Sequence, residues 1–127
     1  MEIDSREIGQ LASVGLRVLE VDGGAVRTRL NVEFALAGNP GRYPDMIPAD
    51  ELWLDRCLDT ADAAATIVHE AVEYALMAAG ASYNDAHETA TAAELPMRLA
   101  MEGEDVGEED PVELADAWLV QHGCTEP

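Results

Sequence analysis

Residues 59–80 constrain the fold more than any other part of this chain. Asp59-Thr60 can cap a helix, the residues that follow run to about Ala79 without a breaker, and Gly80 suits a C-terminal stop. Two more helices are predicted after it. Ser82 or Asn84 can cap one that starts near Asp85, with Pro96 expected to kink or interrupt it, since proline lacks an N–H and crowds the preceding turn. The acidic, glycine-containing stretch Glu102 to Asp110 reads as a solvated loop without the ligand spacing of an EF-hand. Asp110-Pro111-Val112-Glu113 then combines a capping Asp, a proline at the first helical position and a Glu at the third, and that helix should end near Gly123.

The N-terminal half reads as β structure. Val14 to Val21 suits a strand and Asp22-Gly23-Gly24 a turn. Val26, Thr28, Leu30, Val32 and Phe34 alternate with Arg27, Arg29, Asn31 and Glu33, a period of two that predicts a strand over 26–34 with those five side chains on one face. The pair is expected to form an antiparallel hairpin. Gly38-Asn39-Pro40-Gly41 and Pro44 to Pro48 form an irregular connection, and Glu51-Leu52-Trp53-Leu54-Asp55 suits a short third strand. The expected architecture is α+β: a small antiparallel sheet, hairpin plus short strand, followed by three helices. A length of 127 residues fits a single domain over 1–127, with termini free to be flexible.

Charge narrows the function classes. Seven basic residues, all Arg, face 26 acidic ones for a net charge of −19, which argues against direct nucleic-acid binding. Arg98 is the one basic residue of the C-terminal half, so an acidic surface there could serve solubility, attract cations or basic peptides, or mimic DNA towards a host protein. Cys57 and Cys124 have neither disulfide-framework nor metal-type spacing, and Cys57 is expected to be a buried structural cysteine. No signal-peptide pattern and no membrane-spanning run is seen, so a cytoplasmic location is the expectation. Trp53 and Trp118 are expected to be core or interface anchors, and His122 to sit beside the last carbonyls of its helix.

Chemistry concentrates on the two central helices. At 100° per residue, Asp62, Thr66, His69, Glu70 and Glu73 share one sector of the first, with His69 and Glu73 four apart and able to point at one object. On the second, His87, Thr91, Glu94 and Arg98 align. Packed side by side, the helices could bring His69, Glu73 and His87 together as metal ligands, with Glu94 a fourth ligand or a partner of one. Imidazole and carboxylate suit zinc and several other first-row divalent ions. In this reading Glu70 is the general base that activates a metal-bound water. The competing reading is an ion-pair network of Glu73, Glu94 and Arg98 between helices, with both histidines as satisfied polar partners.

The segment His69-Glu70-x-x-Glu73 is one residue away from the zinc-peptidase motif, with Glu73 in place of its second His. The wider block from Val68 through Leu76-Met77, Gly80, Tyr83 and Ala86-His87 to Glu94 resembles a family of small phage and prophage proteins. Asn39-Pro40-Gly41-Arg42-Tyr43, Met46-Ile47-Pro48 and Trp53-Leu54-Asp55 belong to the same pattern. More distantly it is similar to the zincin metallopeptidases, which implies a small sheet before the metal-binding helix and a peptide or protein substrate. A short strand near Trp53 could then hold extended substrate by strand addition. Two other functions fit the same sequence: a non-catalytic acidic phage protein that binds or inhibits a host DNA-binding protein, and a phage structural accessory protein.

Overall fold

The computed structural model describes residues 3–122 and has an α+β fold with a four-stranded mixed sheet and four helices. The order along the chain is β1 (Ser5–Leu11), β2 (Leu16–Val21), α1 (Gly23–Arg29), β3 (Ala37–Gly38), β4 (Glu51–Asp55), α2 (Thr60–Ala78), α3 (Tyr83–Met101) and α4 (Pro111–Gln121). In the sheet the order is β1-β2-β4-β3, with β1 antiparallel to β2, β2 parallel to β4 and β3 antiparallel to β4.

The hairpin exists, but it is made by β1 and β2 rather than by residues 14–21 and 26–34. The expected strand over 26–34 is replaced by helix α1 and a loop. Asp22-Gly23-Gly24 is a helix start, not a hairpin turn: the Asp22 carboxylate accepts from the Ala25 N–H at 3.1 Å. Of the five alternating residues, Val26 and Phe34 are fully buried, whereas Thr28, Leu30 and Val32 are exposed. The reason is topological. β2 and β4 run parallel, and parallel neighbours need a long crossover, which residues 22–50 supply. The crossover starts tightly, for a Cβ on Gly23 would stand 2.0 Å from Asp55 Oδ2.

β1 escaped the sequence reading because it is an edge strand with few apolar residues. Its register shifts between Glu7 and Gly9, and Gly9 lies against Val112 of α4, where a Cβ would meet Cγ1 at 3.0 Å. A glycine at a bulge is how a strand admits such an approach. Trp53 is largely buried, as expected, with its indole N–H on Glu51. Its strand β4, however, is paired on both sides and cannot receive an extended substrate; the edge on that side is β3.

The three later helices follow their caps. Asp59, Ser82 and Asp110 each accept a backbone N–H of the first turn, and Gly80 takes a φ of 106° after α2. Pro96 does not end α3. Pro96 and Ala92, the residue whose carbonyl loses its helical partner, are both exposed, and the helix continues to Met101. α4 ends at Gln121 with His122 as its cap, the ring Nδ1 2.9 Å from the Trp118 carbonyl; Gly123 and Cys124 lie outside the described residues. Cys57, expected to be buried, is exposed in the turn between β4 and α2.

α2 is the centre of the molecule. Every residue from Ala63 to Val72, and Glu73 beyond it, is buried. Its apolar side joins Leu16, Val18, Leu52 and Leu54 of the sheet with Ala90 and Met97 of α3 and Val112, Ala115 and Leu119 of α4. Its alanines, Ala63, Ala64, Ala65 and Ala71 among them, are small side chains that let these elements approach closely. A second cluster, Leu19, Val21, Val26, Phe34, Tyr43, Ile47 and Trp53, anchors the crossover. No described helix is long and apolar enough to cross a membrane.

Candidate metal centre

Asp62, in the first turn of α2, is exposed, but from Ala63 to Glu73 the helix is buried all round, so the polar sector from Thr66 to Glu73 does not lie on open surface. It faces α3 and the loop that follows β3. A cleft of about 280 Å³ opens there, lined by His69, Glu70 and Glu73 from α2, Tyr83, His87, Glu94 and Arg98 from α3, and Leu36, Arg42 and Tyr43 from the crossover, among others.

Three donor atoms converge at its floor. His69 Nε2 lies 3.1 Å from Glu73 Oε2 and 3.3 Å from His87 Nδ1, and Glu73 Oε2 lies 2.9 Å from His87 Nδ1. A tetrahedral ion with bonds of about 2.0–2.1 Å spaces its donors by about 3.3 Å, so the triangle is near the size of one tetrahedral face. His69, Glu73 and His87 could therefore hold a metal ion. Two of the three are buried, and the exposed third, His87, is on the solvent side.

Glu94 does not join the triangle. Its Oε1 stands 2.8 Å from His69 Nδ1, on the far side of the ring, and its Oε2 accepts from Arg98 Nε at 2.8 Å. A carboxylate on the remote nitrogen fixes the ring and leaves Nε2 free to coordinate. Of the two places considered for Glu94, the structure puts it beside His69 Nδ1 and not among the three converging donors. Arg98 also binds Asp62 at 2.8 Å, and Thr91, predicted on the same stripe, is exposed with its hydroxyl on the His87 carbonyl.

Glu70 is buried beside the triangle. Its Oε1 accepts from Asn39 Nδ2 at 2.9 Å. Burial, reinforced by the Glu73 charge, pushes its carboxyl up to about 7. Burial alone would push His69 down, but the Glu73 and Glu94 carboxylates at its two nitrogens outweigh it and raise the ring to about 8. Burial would raise Glu73 as well, yet the imidazoles of His69 and His87 hold it below the usual range.

The sequence reading missed Asn39, Arg42 and Tyr83 as parts of the site. Arg42 stacks over the rings of Tyr43 and Tyr83, with its carbon 4.9 and 4.5 Å from their centroids, and pairs with Glu33. The turn chemistry of Asn39-Pro40-Gly41 was the available signal: the Asn39 side chain accepts from the N–H groups of Gly41 and Arg42. That signal announces a turn, however, and not the helix beneath it. No protein-family model matches the chain, and no curated protein and no solved structure is significantly similar to it.

Proposed function

We propose that this protein is a zinc-dependent hydrolase of peptidase-like chemistry. His69, Glu73 and His87 are the ligands, Glu94 orients His69, and Glu70 is the general base. The observation that carries the reading is the convergence of two imidazole nitrogens and one carboxylate oxygen at 2.9–3.3 Å from one another on the floor of a cleft. Three protein ligands leave a fourth zinc position for water, which is the arrangement of catalytic zinc. The ion would lower the pKa of that water, and Glu70, a buried carboxylate beside Glu73, is placed to take its proton. Glu70 follows His69 directly on α2, as the base follows the first ligand in the peptidase motif. An extended peptide would add to the edge strand β3, whose Ala37 lines the cleft, and not to β4.

The test is metal analysis and chelator competition on the purified protein and on His69→Ala, followed by peptide hydrolysis by Glu70→Gln. Zinc bound by the wild type and lost in His69→Ala, with Glu70→Gln loaded but inactive, supports the reading. A wild-type protein that takes up no zinc sinks it.

One observation favours a second reading, a metal-free network that fixes α3 on α2. Among the described residues, no buried side-chain nitrogen or oxygen lacks a hydrogen-bond partner. Such a network predicts that His69→Ala lowers stability and changes metal content not at all.

A further inference from the structure

Asn39 is completely buried, in the connection between β3 and β4, and its amide uses its full bonding capacity. Its oxygen accepts from the backbone N–H groups of Gly41 at 2.9 Å and Arg42 at 3.1 Å. Since those partners can only donate, they settle which end of the amide is the oxygen. The NH₂ end must therefore face α2. There it donates to Glu70 Oε1 at 2.9 Å and to Glu73 Oε1 at 3.2 Å.

We infer that Asn39 is the positioning residue of the centre: one amide orients both the ligand Glu73 and the base Glu70. The inference rests on the metal-centre reading and adds to it a residue outside the helix pair. Glu73 has two oxygens, and a free carboxylate could swing or bind a metal through both. With Oε1 held by Asn39, Oε2 alone is presented to His69 Nε2 and His87 Nδ1. Glu73 is thereby specified as a ligand through one oxygen. The second N–H of the same group holds Glu70 beside it, so ligand and base keep a fixed relation. The oxygen end ties this arrangement to the turn that carries Arg42 and Tyr43 to the cleft.

Removing the partner that orients a metal ligand weakens metal affinity by about 10- to 100-fold. Zinc affinity of Asn39→Ala and Asn39→Ser, measured by competition with a chromophoric chelator well below their melting temperatures, should fall by that factor. Ser13→Ala is the control. It removes the Ser13 hydroxyl bond to Asp116, weakening the contact of the β1–β2 turn with α4 away from the cleft, and should leave zinc affinity unchanged. A purely structural Asn39 would lower the melting temperature of its variants and leave their zinc affinity at the wild-type value, which overturns the inference. Equal weakening in Ser13→Ala overturns it too. If neither Asn39 variant folds, X-ray absorption of the zinc-loaded wild type decides: one short Glu73 oxygen is expected, and two-oxygen coordination refutes it. Absence of zinc in the wild type would instead remove the metal-centre reading itself.

Discussion

Glu70→Gln should stabilise the metal-free protein, and more so as the pH rises. The side chain is buried, and its carboxyl is pushed from an ordinary 4.5 to about 7. A group raised in the folded state contributes stability below its unfolded pKa and loses it as the pH climbs through the folded value. At 1.36 kcal/mol per unit, the penalty on the wild type is about 1 kcal/mol at pH 5 and about 3 kcal/mol at pH 8. Glutamine has the same shape, can still accept from Asn39, and never ionises. Urea unfolding of chelator-treated wild type and Glu70→Gln at both pH values measures the difference. The variant should gain about 2 kcal/mol more at pH 8 than at pH 5, a difference of several degrees in melting temperature for a domain of this size. A gap between the two proteins that does not change with pH would refute the reasoning, because the carboxylate would then carry no burial penalty. On the proposed hydrolase reading, the same substitution should also abolish peptide hydrolysis by zinc-loaded protein.

The other expectations concern neighbouring groups. Glu94→Gln should weaken zinc binding by about 10- to 100-fold in a chelator competition, because its carboxylate orients His69 from the far nitrogen. Metal-free wild type should also lose stability between pH 6.5 and 8 through His69, which is raised to about 8 and is stabilised only while protonated; zinc should remove this slope in thermal melts recorded across that range. Phe34→Ala should cost about 3–5 kcal/mol in urea unfolding while Val32→Ala stays within about 0.5 kcal/mol, since the first is fully buried and the second 81% exposed; equal costs would contradict the helix-and-loop crossover. Added salt should raise the melting temperature modestly by screening the self-repulsion of a chain with net charge −19.

Caps and breakers made the helical half legible. Asp59, Ser82, Asp110 and Gly80 act on their immediate neighbours, so their effect could be read from the order of residues alone. The same holds for β4 and for the helical spacing that places His69 beside Glu73. The facing of His87 depends on how α3 packs on α2, which brings its Nδ1 to 2.9 Å from Glu73.

Other features depend on partners distant in sequence. The alternation over 26–34 is a real pattern with no consequence, because strand pairing was decided elsewhere: β2 took β1 and β4 as neighbours, and residues 22–50 became the crossover between parallel strands. Pro96 carried a local warning that its exposed position cancels. Glu70 and Asn39 show the limit most directly. Local sequence places Glu70 on the helix surface and Asn39 in a turn, and both statements hold. Their bond, 31 residues apart along the chain, forms because the sheet lays that turn across α2, and burial there raises the carboxyl. Short-range order belongs to the sequence by itself, whereas burial and charge coupling arise only when the elements are packed.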